Sequence, residues 1–148
     1  MKTKLINRIV HKDKQSAYTL IELLVTLAIV SMLIMIAYPA YKLWILKSHR
    51  ADAIATLNQD QIILERCYAQ NFSYNAACAS LPAFPQLSTQ QYYTINISNI
   101  TATTYTLTAT PTGQQIKDTL CASISTDQAN QKTATDNAGN SQPSCWTP

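Results

Sequence analysis

The sequence predicts an α+β protein in which one long N-terminal helix, apolar in its first half, packs its second half against a three- or four-stranded antiparallel sheet. Three observations carry this. Between Lys14 and Lys42 the only ionisable side chains are Glu22 and tyrosine phenols. From Lys42 to about Ala69 there is no Pro or Gly, and apolar residues recur at helical spacing. Beyond Asn71 charge becomes sparse, threonine becomes abundant, and the period changes from helical to alternating.

The chain opens on a basic segment. Of eleven basic residues, Lys2, Lys4, Arg8, Lys12 and Lys14 precede Tyr18, so the remainder carries six basic against seven acidic side chains. The formal charge of +3 therefore belongs to the first residues and is no sign of a nucleic-acid-binding domain. Leu23 to Tyr41 follows as a 19-residue run whose only polar members besides tyrosine are Thr26 and Ser31. At helical rise it reaches roughly 30 Å, the thickness of a bilayer core. A cleaved secretory signal has a shorter apolar region, about 7 to 15 residues, and a small-residue cleavage site. Here Tyr38 stands two before Ala40 and Met35 two before Ala37, which spoils both sites. Basic residues before a span hold that end in the cytoplasm, which puts the C-terminal part on the far side.

Glu22 is what a plain anchor does not explain, because an acidic residue inside a span costs ~2.5 to 3.5 kcal/mol on insertion scales. Thr19 and Glu22 have the T-x-x-E spacing of a capping box, in which both side chains satisfy free N–H groups at a helix start. A cut before Tyr18 would add a second role. It creates an α-amino group four residues from Glu22, and an ammonium and a carboxylate in apolar surroundings attract strongly.

The stretch SAYTLIELLVTLAIVSMLIMIAYPAY, with the basic segment before it, resembles the N-terminus of type IV prepilins. The resemblance implies cleavage by a prepilin peptidase between Ala17 and Tyr18, N-methylation of Tyr18, a role for Glu22 in assembly, and a helix kink at Pro39. Ala17 stands where that family normally has glycine. The stretch TATPTGQQIKDTLCASISTDQ and the closing Cys145-Trp146 are similar to the PilE-like (type IVa) group. The implied organisation is a cleaved cytoplasmic leader over 1–17, a membrane and filament-core helix over 18–41, an amphipathic half over 42–70 and a pilin head over 71–148.

Leu43, Leu46, Ala53, Leu57 and Leu64 mark the apolar stripe of the second helical half. Lys47, His49, Arg50, Asp52, Asp60 and Glu65 are expected mostly on a solvated face, with Lys47 or Arg50 as candidates for pairing with acids of neighbouring subunits. In the head, Tyr93, Ile95 and Ile97 alternate with polar residues, as do Tyr105, Leu107 and Ala109, and both stretches read as half-buried strands with a threonine face toward water. Leu120, Ala122 and Ile124 suggest a third strand, and Lys132 to Thr135 a short fourth.

Cys67, Cys78, Cys121 and Cys145 all follow the apolar run, and no CxxC pair occurs. With His11 and His49 the only histidines, a zinc site lacks its partners, and two disulfides in an oxidising compartment are the better reading. Three connectivities are open. Cys67 with Cys78 and Cys121 with Cys145 are favoured, the first tying the helix end to the following loop, the second closing the C-terminal segment onto a strand. The second pair resembles the C-terminal disulfide loop of pilins, the D-region, here 121–145.

No G-x-S-x-G, H-E-x-x-H or glycine-rich phosphate loop occurs, and Gly113 and Gly139 are the only glycines. No enzyme activity, cofactor or metal is expected. The resemblance implies a structural subunit of a type IV pilus, major or minor, serving adhesion, twitching motility or DNA uptake. Its partners would be other pilins, the prepilin peptidase, the inner-membrane assembly platform and the membrane itself. The precursor would sit in a bacterial inner membrane with its head in the periplasm, and the product in an extracellular fibre. Two alternatives share the N-terminus: a pseudopilin of a type II secretion system, which the C-terminal cysteine pair disfavours, and a DNA receptor of the competence machinery. The latter needs a basic patch, and a near-neutral head argues against DNA binding.

Overall fold

The computed structural model describes residues 18–75 and 80–147. The chain forms two compact units, Met1–Tyr38 and Pro39–Pro148. The 1–17 leader, Ala17 and Cys78 lie outside the described residues.

A helix, α1, runs over Leu20–Asn71 with Pro39 inside it. Its start is capped by Thr19, whose carbonyl accepts from the N–H groups of Glu22 and Leu23 and whose Oγ1 accepts from Glu22 at 3.3 Å. Thr26 and Ser31, the polar residues of the apolar run, donate their hydroxyls to the carbonyls of Leu23 and Ala28. Within a helix this hides the hydroxyl from hydrocarbon. The described side chains of this first unit, residues 18–38, are exposed, Leu20 at 76% and Met35 at 77% among them, and α1 is long and apolar enough to cross a membrane. At the far end Phe72 takes φ 53°, and its N–H bonds the Tyr68 carbonyl at 2.7 Å, closing the last turn.

In the second unit the described residues form an antiparallel sheet of five strands in sequential order: β1 (Gln86–Leu87), β2 (Tyr93–Ser98), β3 (Thr106–Pro111), β4 (Ser123–Asp127) and β5 (Lys132–Thr135). Tyr93 and Ile95 of β2, Leu107 and Ala109 of β3, Ile124 of β4 and Ala134 of β5 point to one face. They form a core with Ala53, Leu57 and Leu64 of α1. The alternating strands thus find the helical stripe, as period-2 and period-3.6 patterns require when each must bury one face. Thr108 faces away and accepts a hydrogen bond from Ser125 on the neighbouring strand at 3.1 Å.

Two details depart from the sequence reading. The sheet has five strands where three or four are expected; the strand with no sequence signal is β1, only two residues long after Pro85 and too short to display alternation. Leu120 and Ala122 are not in β4, which begins at Ser123. Leu120 sits in a 3-10 turn over Thr119–Cys121 and is 45% exposed.

Cys121 and Cys145 are joined, their Cα atoms 5.8 Å apart, which fastens the C-terminal 3-10 turn over Pro143–Trp146 to the 3-10 turn that precedes β4. By loop-closure entropy such a link stabilises by about 3 kcal/mol. Cys67 is also disulfide-bonded.

Candidate assembly site

Each unit carries its own set of candidate residues. In the first, Tyr18 is 75% exposed and Glu22 is exposed one turn along. Only half of the predicted capping box is present: Thr19 accepts from the Glu22 N–H, and among the described residues nothing donates to the Glu22 carboxylate.

In the second unit the structure assigns the charged residues of α1 a role that the sequence reading gave to solvent. Arg50, Asp52 and Asp60 are buried, at 6%, 6% and 3% exposure. Arg50 and Asp60 belong to the stripe: Arg50, Ala53, Leu57, Asp60, Leu64 and Cys67 follow one another at steps of three and four, so two charged positions share the face of the apolar ones. Arg50 does not wait for a neighbouring subunit. Its Nε and Nη2 donate to Asp118 Oδ2 and Oδ1 at 2.7 and 2.9 Å, a two-pronged pair inside the head. Gln115, fully buried on the adjacent 3-10 turn (Gly113–Lys117), donates through Nε2 to the Leu46 carbonyl and to Tyr93 Oη, both at 2.9 Å. His49 Nδ1 donates to Gln115 Oε1 at 3.0 Å, and its ring stacks on Tyr92 with centroids 3.6 Å apart.

The other helix acids each hold a separate piece of the head. Asp52 Oδ1 accepts from the Gln90 N–H at 3.0 Å and Oδ2 from the Ser88 hydroxyl, and Ser88 Oγ in turn accepts from the Tyr93 N–H that opens β2. Asp60 accepts from Gln86 Nε2 at 2.7 Å, which anchors β1. Glu65 Oε1 accepts the phenols of Tyr74 and Tyr105 at 2.9 and 3.1 Å. Burial pushes the Tyr93 phenol up to about 12, so it stays a neutral acceptor and donor throughout the physiological range.

Burial likewise raises the Asp60 carboxyl from 3.8 to about 6, with the Gln86 hydrogen bond opposing it. A folded-state pKa above the unfolded value means that the native head prefers protonated Asp60. Its contribution to stability is complete below about pH 4 and is lost as pH rises through 6. Asp60→Asn is therefore expected to unfold at higher urea than the parent chain at pH 7 and at a similar concentration at pH 4. A parallel pH response in both would remove Asp60 as its source.

This burial also changes the charge that the head presents. Pro39–Pro148 holds six basic and six acidic side chains, but Asp52, Asp60 and Asp118 are inside, whereas Lys42, Lys47, Arg66, Lys117 and Lys132 are exposed. The surface is cationic although the sequence is neutral. Sequence counting missed this because it weighs each carboxylate alike.

Among the described residues, no group of three or more His, Cys, Asp or Glu side chains is placed to hold a metal.

Residues 12–38 match the family model described as the prokaryotic N-terminal methylation motif. Residues 39–125, more than half of the chain, match the family model described as type IV minor pilin ComP, DNA uptake sequence receptor. A solved structure of a type IV pilin from Shewanella oneidensis is similar at 27% identity, with a TM-score of 0.45, over 59% of this chain and 89% of that one. No curated protein matches the chain. With a methylation motif on its apolar helix and the family's head beyond it, the chain belongs to the type IV minor pilin ComP family and is a subunit of a type IV pilus.

Proposed function

We propose that the chain is a minor pilin made as a membrane-anchored precursor. It is cut between Ala17 and Tyr18 by a prepilin peptidase, methylated on Tyr18, held with its head in the periplasm, and drawn by the inner-membrane platform into an extracellular fibre of other pilins. The observation that carries this reading is an exposed apolar helix whose one acid, Glu22, lies a single turn from the prospective N-terminus and accepts no hydrogen bond among the described residues. Pro39 lies where α1 passes into the head unit and is the candidate kink, since its ring removes a backbone donor inside the helix.

N-terminal sequencing of fibre protein tests it directly: the first residue is expected to be methylated Tyr18. Ala17→Gly should process at least as well as the parent, whereas Ala17→Phe should leave the precursor uncut, because the peptidase must approach the backbone closely at that residue. A mature chain beginning elsewhere would sink the cleavage assignment, and normal processing of Ala17→Phe would remove the size requirement.

A second reading, reception of DNA during uptake, is supported by the description of the matching family and by the surface charge. The near-neutral count that disfavoured DNA includes three aspartates that solvent does not meet. In detergent, the full chain is expected to bind duplex DNA with an affinity that falls steeply with salt, as phosphate contacts require. Salt-independent or absent binding would return the chain to a purely structural role.

A further inference from the structure

We infer that the pole of the head formed by residues 41–47 of α1 and the 3-10 turns at 113–121 docks on the anionic phospholipid surface of the membrane that holds the precursor. The inference rests on the membrane-anchored reading above and adds an orientation for the head.

The apolar run ends at Tyr41, and the next six residues include Lys42, Trp44 and Lys47. Tyr41 and Trp44 are 59% and 64% exposed and stack with ring centroids 6.5 Å apart. Aromatic rings and long amines directly after an apolar span favour the headgroup layer, the rings by their mixed polarity and the lysines by extending their stems. The head brings a second element to the same level. Gln115 ties its turn to the Leu46 carbonyl at 2.9 Å, which fixes the exposed Ile116 (60%) and Lys117 beside the helix. Lys117 lines two adjoining hollows. One, of about 400 Å³, is shared with Leu43, Lys47 and Leu120, and the other, of about 170 Å³, with Lys42 and Ile45.

Charge and polarity together select the occupant. Three lysines meet at this pole, and its carboxylate, Asp118, is 4% exposed and already engaged by Arg50. Lysines interspersed with exposed Leu43, Ile116 and Leu120 suit an interface with phosphate outside and acyl chains beneath. Duplex DNA would use the amines but leave the apolar side chains wet. A second copy of the head offers Glu65, Asp127 and Asp136 among the described residues, and each is already engaged: Glu65 accepts two phenols, and Asp127 and Asp136 accept backbone N–H groups of their own turns.

The full chain carrying Ile116→Trp, with Trp44→Phe and Trp146→Phe so that the introduced indole reports alone, is reconstituted into vesicles of brominated lipid. Quenching is expected to be about twofold stronger or more with about 30% phosphatidylglycerol than with phosphatidylcholine alone, and to lose that excess in about 0.5 M salt. Lys117→Glu should abolish the excess while the near-ultraviolet circular dichroism of the head is unchanged. Equal quenching in both lipids, with the chain still resisting carbonate extraction, overturns the docking alone. Release by carbonate overturns the membrane reading and the docking with it. Shielding of the reporter by duplex DNA, or by other subunits only within fibres, in place of lipid also overturns the assignment.

Discussion

Glu22→Gln is expected to insert in the membrane, to be cut and methylated like the parent chain, and to be missing from sheared fibres. The substitution separates the two roles available to this residue, because glutamine keeps the side-chain geometry a capping box accepts and removes only the charge. The structure shows the Thr19 half of the box, with Oγ1 accepting from the residue 22 N–H at 3.3 Å, a contact made through the backbone and indifferent to the side chain at 22. Loss of helix capping therefore cannot explain a Gln phenotype. Loss of an ion pair can: once Tyr18 is the N-terminus, its ammonium and the Glu22 carboxylate of an adjoining subunit would meet among apolar helices. Breaking such a buried pair costs on the order of 3 to 5 kcal/mol, at least a hundredfold in an incorporation equilibrium. Thr19→Ala is the reciprocal control, weakening the cap by about 1 kcal/mol while keeping the charge, and should still assemble. The readout is the ratio of chain in sheared fibres to chain in membranes. Normal incorporation of Glu22→Gln would leave Glu22 as a local cap and nothing more.

How much of this was legible in the sequence differs by element. The apolar run was readable from its length, and the β2 and β3 alternation because a period of two repeats over enough residues to exceed chance, whereas of the T-x-x-E start only the Thr19 half formed. Tyr93, Ile95, Leu107 and Ala109 are all fully buried. Two residues of β1 cannot show a period, and Leu120 kept strand parity while belonging to a 3-10 turn. The polar core was hidden for another reason. Arg50 and Asp60 occupy stripe positions, but their charge assigned them to solvent, and the partners that make burial tolerable, Asp118 and Gln86, lie 68 and 26 residues away. Position along the stripe was the better signal than residue class. The surface charge followed the same error, since the head buries three acids, Asp52, Asp60 and Asp118, but only one base, Arg50.

The buried pair also carries the second large effect. Arg50→Ala is expected to destabilise the head by about 3 to 5 kcal/mol, because Asp118, 4% exposed, would keep its charge without a counter-ion. Asp118→Ala should be equally damaging, stranding the guanidinium. Arg50→Met combined with Asp118→Leu should recover most of the loss, since a hydrophobic pair of similar volume removes both desolvation penalties. Gln115 Nε2 would still have the Leu46 carbonyl and Tyr93 Oη as acceptors. Urea midpoints of the parent, both single variants and the double variant give the coupling. A double variant no better than the singles would mean that the surrounding polar network, and not the pair, holds this part of the fold. The position of the pair ties its stability to the C-terminal loop. Asp118 immediately precedes the turn over Thr119–Cys121, and Cys121 fastens that loop. A head that loses Arg50 should therefore expose the 121–145 region to protease before the rest of the sheet unfolds. Replacing Asp60, whose contact is with β1 at the opposite edge of the sheet from β5, should leave that region protected.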